Sequence, residues 1–289
     1  RLFFSRRIGL ENGQTVPILG GGRLTGKAGK FTIGAVNIQT DHGPNVGTVS
    51  TNFTVLRIKR DILRRSRIGG IFTRRSVAVN GIGSNDTYGI DGTFAFFNNL
   101  AVNTYWARTR TEGLSGDDTS YRLDLNYNGD RYGAEIERLR VGDNFNPEIG
   151  FIRRDDMSKS FAQLRFSPRP TSIASVRKFS WIGSLTNIKD GSGRLETRES
   201  HGEFGIEFEN SDGLNVSYRD AYEFLKRPFP IAPGVTIPVG GYNFATLRLQ
   251  FTLGQQRKAS GILFVEQGSF FSGNKTAVGY NRGRIQISP

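Results

Sequence analysis

Residues 120–139, SYRLDLNYNGDRYGAEIERL, alternate apolar and charged side chains on both sides of a turn. Tyr121, Leu123, Leu125 and then Tyr132, Ala134, Ile136 fall on one face. Arg122, Asp124, Asn126 and then Gly133, Glu135, Glu137 fall on the other. A period of two held over two consecutive segments is the mark of β-strands. Asn128-Gly129 suits a two-residue hairpin turn, which needs φ > 0 at both central positions. That turn sets Leu125 opposite Tyr132, Leu123 opposite Ala134 and Tyr121 opposite Ile136. On the reverse face it sets Arg122 opposite Glu135 and Asn126 opposite Arg131. Apolar meets apolar and charges are matched, so turn and pleat agree on a hairpin.

The same pattern returns along the chain. Residues 201–220 offer Phe204, Ile206 and Phe208, then Leu214, Val216 and Tyr218 on one face, with an expected pairing of Phe208 with Leu214 and Ile206 with Val216. This pairing also places Phe204 opposite Tyr218 and Glu203 opposite Arg219. TYGIDGTFAFF and LAVNTYWARTR form a further pair, and loops of two or three residues fit between them equally well. YNFATLRLQFTLG sets Leu247, Leu249, Phe251 and Leu253 against Arg248, Gln250 and Thr252. Weaker strands are expected near 2–8, 31–40, 51–61, 68–76, 158–167, 177–186, 258–268 and 276–288, with turn clusters such as SPRP, KDGSG and NSDG between them. The total comes to about 14–16 antiparallel strands, many near ten residues long, with little helix. No flexible linker divides the chain, so residues 1–289 read as one domain, with 227–241 as its longest loop.

Composition narrows the chemistry. There is no Cys among the 289 residues, so no disulfide and no thiolate metal site can form. No apolar run approaches the roughly 18 residues of a membrane-spanning helix. The chain opens on Arg1 without a signal peptide, which reads as a processed chain or a fragment. The net charge of +13 is uneven: residues 1–75 hold 14 Lys/Arg and 3 Asp/Glu, the remaining 214 hold 25 and 23. Such a basic cluster can be a solvated rim, or can answer nucleic acid, lipid phosphate or an anionic solute.

Two architectures accommodate many long strands of this kind. A soluble sandwich turns the apolar faces toward each other. A membrane barrel turns them to lipid and keeps the charged faces around a wet lumen. Strands of about ten residues match a tilted bilayer span. Tyr88, Trp106, Tyr121, Trp181 and Tyr218 are candidates for an aromatic girdle, and the charged faces carry long, matched side chains. These features favour an all-β, antiparallel transmembrane β-barrel. Its lumen would be lined by Arg57, Lys59, Arg122, Glu135, Glu137, Glu203, Glu207 and Arg219. With Arg57 and Lys59 on a basic wall and the glutamates of later strands on an acidic one, the lumen would carry a transverse field.

The segments FFSRRIGL, VPILGGGRLTGKAGKFTIGAVNIQT, NFTVLRIKRDIL, GLSGDDTSYRLDLNYNGDRYGAEIE, VGDNFNPEIGFIRRDD, RFSPRP and ETRESHGEFGIEFENSDGLNVSYRDAYEFL resemble a bacterial outer-membrane β-barrel family of unknown function. Members of that family commonly follow a periplasmic module similar to family 9 carbohydrate-binding modules. The resemblance extends from residue 1 to near 289, and NPEIGF and GKFTIGAVNIQT are its most specific parts. It implies an outer-membrane location and an N-terminal periplasmic module missing from this chain. Outer-membrane barrels usually finish on a strand with a terminal aromatic, and this chain stops at RGRIQISP, so the last strands are expected to be missing too. The resemblance carries over no catalytic residues.

Other motifs argue for little chemistry. GGRLTGKA (21–28) nearly matches a phosphate-binding loop, but Ala28 lacks the hydroxyl that holds Mg²⁺ and a strand follows where a helix is needed. It reads as a Gly-rich turn or loop. His42 and His201 are the only histidines and neither sits in a nucleophile or zinc pattern. Asp117/Asp118, Asp155/Asp156 and Glu203 with Glu207 are the carboxylate pairs a glycosidase could use. Glu203 and Glu207 lie about 13 Å apart along a strand, outside either glycosidase geometry. Catalytic residues, metals and cofactors are therefore expected to be none, and nucleic acid is not an expected partner. A soluble nucleic-acid-binding module would keep its aromatics on the face of its Arg and Lys, whereas here they mostly alternate with charge. The expected partners are the bilayer and lipopolysaccharide, a polar or glycan-derived solute, and other outer-membrane proteins. The expected function is passage or capture of that solute. The alternative is a membrane anchor for a carbohydrate-active hydrolase whose catalytic domain lies outside this chain.

Overall fold

The computed structural model describes residues 2–11, 14–42, 49–271 and 273–285. It is all-β and antiparallel, without an α-helix among those residues, and it divides into two compact units. Unit 1 comprises Arg1–Leu125 and Glu137–Ser158; unit 2 comprises Asn126–Ile136 and Lys159–Pro289.

Unit 1 opens with a single 3₁₀ turn, Ser5–Arg7, where a strand over 2–8 was expected. The two-residue strands β1 (Leu10–Glu11) and β2 (Gln14–Thr15) then pair with each other. The long strands follow: β3 (Ile18–Ala28), β4 (Phe31–Thr40), β5 (Thr51–Ile62), β6 (Ser66–Arg75), β7 (Asn85–Phe96) and β8 (Leu100–Thr111), each paired with the next. The near part of a hairpin formed by β9 (Thr119–Asn128) and β10 (Tyr132–Val141) completes the unit. The Gly-rich stretch read as a turn or loop is most of β3, and it pairs with β4 from Gly20↔Gln39 to Ala28↔Phe31. Arg67, one residue before the expected strand 68–76, lies within β6 opposite Asp61.

The pairing sorts side chains as the alternation predicts. Ile33 faces Ile58, Ile58 faces Gly70, and Gly70 faces Ile90, which faces Trp106. This apolar face is exposed: Leu56, Ile58, Ile68, Ile90 and Leu123 all lie open. The opposite face is charged toward one end of the strands and apolar toward the other. At the apolar end, residues 2–8 and the connection 142–156 lie across it. Phe53, Val55 and Ile149 form one buried cluster with Phe3, Ile8, Val36, Ile38 and Ile71 against it. Ala107, Val141 and Phe145 form a second, with Leu2, Tyr105, Leu139, Ile152 and Met157. The Phe4 amide donates to the Ile149 carbonyl at 2.8 Å, tying the two crossing segments together. Gly89 must stay small here, because a Cβ would sit 2.6 Å from Leu2 Cδ1.

Unit 2 takes the tip of the β9–β10 hairpin and continues through β11 (Met157–Phe166), β12 (Val176–Asp190), β13 (Leu195–Phe208) and β14 (Gly213–Leu225). The long loop expected over 227–241 contains a small hairpin of β15 (Phe229–Ala232) and β16 (Val235–Ile237). β14 then pairs with β17 (Gly240–Leu253), which pairs with β18 (Ala259–Phe270), which pairs with β19 (Gly273–Ile285). The expected last strand ran on to 288; residues 286–288 lie outside the described residues. Among the described residues fifteen strands form the large sheet, within the expected 14–16, beside four short ones.

Two hairpin registers differ from expectation by an even number of residues. The Gly129 amide donates to the Tyr132 carbonyl, and the Gly142 amide to the Thr119 carbonyl, each at 2.9 Å. The turn is therefore Asp130-Arg131, not Asn128-Gly129. In the β13–β14 hairpin Ile206 faces Leu214 and Phe204 faces Val216, so Glu203 faces Ser217 and Arg219 faces His201. Its loop holds three residues, with Ser211 at φ 62°, a common alternative to the two-residue turn. Even shifts preserve which face each side chain occupies, so the two-faced character survived both errors. Between β7 and β8 the three-residue loop is the one formed, with Phe97 at φ 52°.

Asp212 fastens the β13–β14 turn to the β17–β18 turn. Its carboxylate accepts from the Gly254 amide at 2.9 Å and from Arg257 Nε at 2.8 Å. The Arg257 guanidinium and the Gly254 amide lower its pKa from 3.8 to about 2. The resulting stabilisation is full above pH 3.8 and is lost as pH falls toward about 2. Asp212→Asn should therefore be less stable at neutral pH and flatten the pH dependence of the unfolding midpoint in that window, measured by thermal or urea unfolding from pH 7 downward.

Candidate functional site: the charged strand faces

On the charged face of unit 1, Arg57 (β5) forms an ion pair with Asp91 (β7) at 2.5 Å. The intervening strand makes room for it. Gly69 lies opposite Lys59 and Asp91, and a Cβ there would meet the Arg57 guanidinium and the Ile58 carbonyl at 3.0 Å. Lys59 lies on the same face as Arg57 and has no ion-pair partner among the described residues. Further along, Arg122 (β9) donates through Nε to Glu137 (β10) at 2.6 Å and through Nη2 to Asp124 at 3.2 Å. The Glu137 side chain is 9% exposed, so this pairing satisfies a largely desolvated carboxylate. The partner expected for Arg122, Glu135, instead accepts from Asn126 Nδ2 at 3.1 Å, within unit 2.

On the charged face of unit 2, Glu203 accepts from Asn215 Nδ2 at 2.7 Å and lies 3.4 Å from His201 Nε2. Glu207 pairs with Arg177 at 2.9 Å and with Lys178 at 3.6 Å, and Glu209 with Arg177 at 3.4 Å. Arg219 pairs with Glu199. Beside it, Glu266 (β18) takes both Arg248 (β17) and Lys275 (β19), and the Arg248 guanidinium stacks 4.0 Å over the Phe264 ring. A cavity of about 680 Å³ opens here, lined by Glu199, Arg219, Arg248 and Lys275 with Phe244 and Phe270.

Every expected lumen residue thus lies on these charged faces; Arg122, Glu137, Glu207 and Arg219 are matched on an adjacent strand and Arg57 across two. Such local matching works against separate basic and acidic walls. The five girdle candidates all lie on the apolar face and are exposed. Tyr88 and Tyr121 stand near strand starts, whereas Trp106, Trp181 and Tyr218 sit further in. Trp181 belongs to a stack with Phe166, Phe179 and Phe204, rings 5.2–5.8 Å apart.

Sequence reasoning missed the polar centre beneath residues 142–156. Asn85, fully buried, donates to Thr111 Oγ1 and to the Asn146 carbonyl, both at 2.7 Å, and accepts from the Glu148 amide at 3.2 Å. Glu148, with its side chain 3% exposed, accepts from the Val79 amide at 2.9 Å and faces Arg75 at 3.7 Å. NPEIG is therefore held by polar contacts as well as by Ile149. The signal available was a carboxylate between apolar residues in a segment without strand alternation.

Of the carboxylates weighed for hydrolysis, Glu203 and Glu207 are engaged as described above, and the Asp117/Asp118 pair is held by arginines. Asp117 accepts from Arg140 at 2.8 Å and Asp118 from Arg108 at 2.9 Å. The His42 ring lies 3.0 Å from the carboxylate of its neighbour Asp41. No group of three metal-ligating side chains occurs among the described residues. No family model, curated protein or solved structure matches the chain.

Arg122→Ala removes the guanidinium between two mostly buried carboxylates. It should cost about 2–3 kcal/mol, read from the urea midpoint. Adding Glu137→Gln should recover part of that loss, because an amide costs less to bury than a carboxylate.

Proposed function

We propose that this chain is an outer-membrane β-barrel that captures a polar solute and passes it across the membrane. One observation carries the reading: the sheet has its polarity inverted. Among the described residues forty-four large hydrophobic side chains are exposed, thirty-one of them in the fifteen-stranded sheet, while only eleven hydrophobic residues are buried, three of them alanine. The ion-paired side chains meanwhile crowd the opposite face. In water an apolar surface of this extent would be a strong aggregation liability. Against hydrocarbon it is the expected outer surface of a closed barrel, with the matched charges around an aqueous interior. The bilayer and lipopolysaccharide are then the constant partners. The resemblance to the outer-membrane family that follows carbohydrate-binding modules makes a glycan fragment the natural polar solute.

The packed interior of unit 1 favours capture and gating over an open pore. Residues 2–8 and 142–156 would have to move before a solute could pass over that part of the wall. The same packing also suits the second reading, an anchor for a carbohydrate-active domain. Glycan hydrolysis by the full-length protein but not by this chain would favour the anchor.

Expressed behind an outer-membrane export leader, the protein should fractionate with outer membranes and resist SDS unfolding until heated. Leu123, 52% exposed on the apolar face, is the test position. Leu123→Arg should cost about 2–4 kcal/mol if it meets the bilayer midplane and should lower the heat-shift temperature. A soluble, monodisperse protein without detergent, indifferent to that change, would sink the membrane reading. In planar bilayers the wild type should conduct weakly, and Ile149→Asp, which uncouples the crossing segments, should raise the conductance. An Arg57→Glu/Lys59→Glu variant should shift ion selectivity toward cations; unchanged selectivity would remove these residues from the conducting path.

A further inference from the structure

Unit 1 contains a partly open cavity of about 1,070 Å³ between the crossing N-terminal segment and the strands behind it. Phe3 and Ile8 form one wall, Val36, Val55 and Ile71 another, and Phe145 closes one side. Three charged groups reach it: Arg23 from β3 and the Arg57–Asp91 pair. Two guanidiniums against one carboxylate leave one positive charge uncompensated in the lining. Arg23 has no ion-pair partner among the described residues. Asp91 also fixes the Arg57 guanidinium, which holds part of its donor fork ready for a second acceptor.

The space is too large to be a packing fault. It opens to solvent on one side, so its apolar lining meets water unless a ligand covers it, at a cost set by the area exposed. Water fills it poorly, because most of the wall offers no hydrogen-bond partner and a stable internal water needs several. A large apolar pocket with a few convergent polar groups is the usual form of a small-molecule site. Gly34, on the strand wall of the cavity, adds a second sign of room: a Cβ there would touch only Arg57 Cβ, at 3.8 Å.

We propose that this cavity binds a long-chain amphiphilic carboxylate, with the chain along Val36, Val55, Ile71 and Phe3 and the carboxylate on Arg23 and Arg57. The occupant differs from the polar solute proposed above, and the site needs no open pore.

The test uses the full chain in amphipol, free of alkyl detergents, with a fluorescent dansyl-undecanoate probe displaced by competitors. Palmitate should displace the probe saturably, 1-hexadecanol at least tenfold more weakly, and acetate not at all. Gly34→Leu suits a strand and projects into the cavity, so it should abolish binding while leaving the SDS heat shift intact. Arg23→Gln should weaken palmitate about tenfold and hexadecanol little. Failure of the wild type to bind, unchanged binding in Gly34→Leu, or equal affinity for palmitate and hexadecanol would overturn the proposal. A protein that proves soluble without amphipol yet binds palmitate would overturn the membrane reading and leave this one standing.

Discussion

Backbone pairing is the constraint on which the rest of this structure depends. β14 and β17 pair without interruption from Gly213↔Thr252 to Leu225↔Gly240, and β13 and β14 from Thr197↔Glu223 to Glu207↔Gly213. Ladders of this length satisfy main-chain donors and acceptors whatever surrounds the sheet. That frees the side-chain faces from the usual duty of building a dry core. Within unit 1 the buried apolar clusters are small and confined to the region beneath the crossing segments. Long strands with large exposed residues such as Leu247, Leu249, Leu263 and Val265 persist without a layer packed on them.

The charged face follows from the same constraint. A strand that presents Leu56 and Ile58 on one side must present Arg57 and Lys59 on the other, because the pleat allows no third direction. Packing such side chains side by side is tolerable only when neighbours neutralise them. Asp91 answers Arg57 across two strand spacings, and Glu266 answers Arg248 and Lys275 on either side. Glycine is used where a guanidinium needs space, at Gly69 beside Arg57 and at Gly133 beneath Arg165, whose Nε would lie 2.9 Å from an added Cβ.

The face of each residue was legible in the sequence; the register was not. Alternation reports parity, and parity survived at Leu123, Arg122, Ile206 and Glu203. Register depends on which residues turn, and there local rules misled. Asn128-Gly129 has the better turn chemistry, yet Asp130-Arg131 makes the turn, with Asp130 held by Arg169 at 2.8 Å and Arg165 reaching the Asp130 carbonyl at 3.1 Å. Those arginines are more than thirty residues away, so no local reading could weigh them. β3 was missed for another reason. Four of its glycines break the alternation, and its pairing with β4 comes from main-chain bonds that composition does not disclose.

The crossing segments were legible least, for a physical reason. Residues 2–8 and 142–156 have no regular strand period, since each side chain is placed by the surface beneath it. Phe3, Phe145 and Ile149 find Val55, Val141 and their neighbours, whose own position on the charged face is an exception to the alternation. Val36, Val55 and Ile71 share the side of their strands that elsewhere carries charge. Once the crossing segments cover them they become consistent: an apolar stretch on an otherwise charged face is stable only if the chain supplies a cover. NPEIG supplies it on one side, with Glu148 and Asn85 satisfying the main-chain groups that the cover buries. The N-terminal segment supplies it on the other and leaves a gap. An apolar wall that the chain only partly covers, beside an arginine without an ion-pair partner among the described residues, is a surface that a partner from outside the polypeptide can complete.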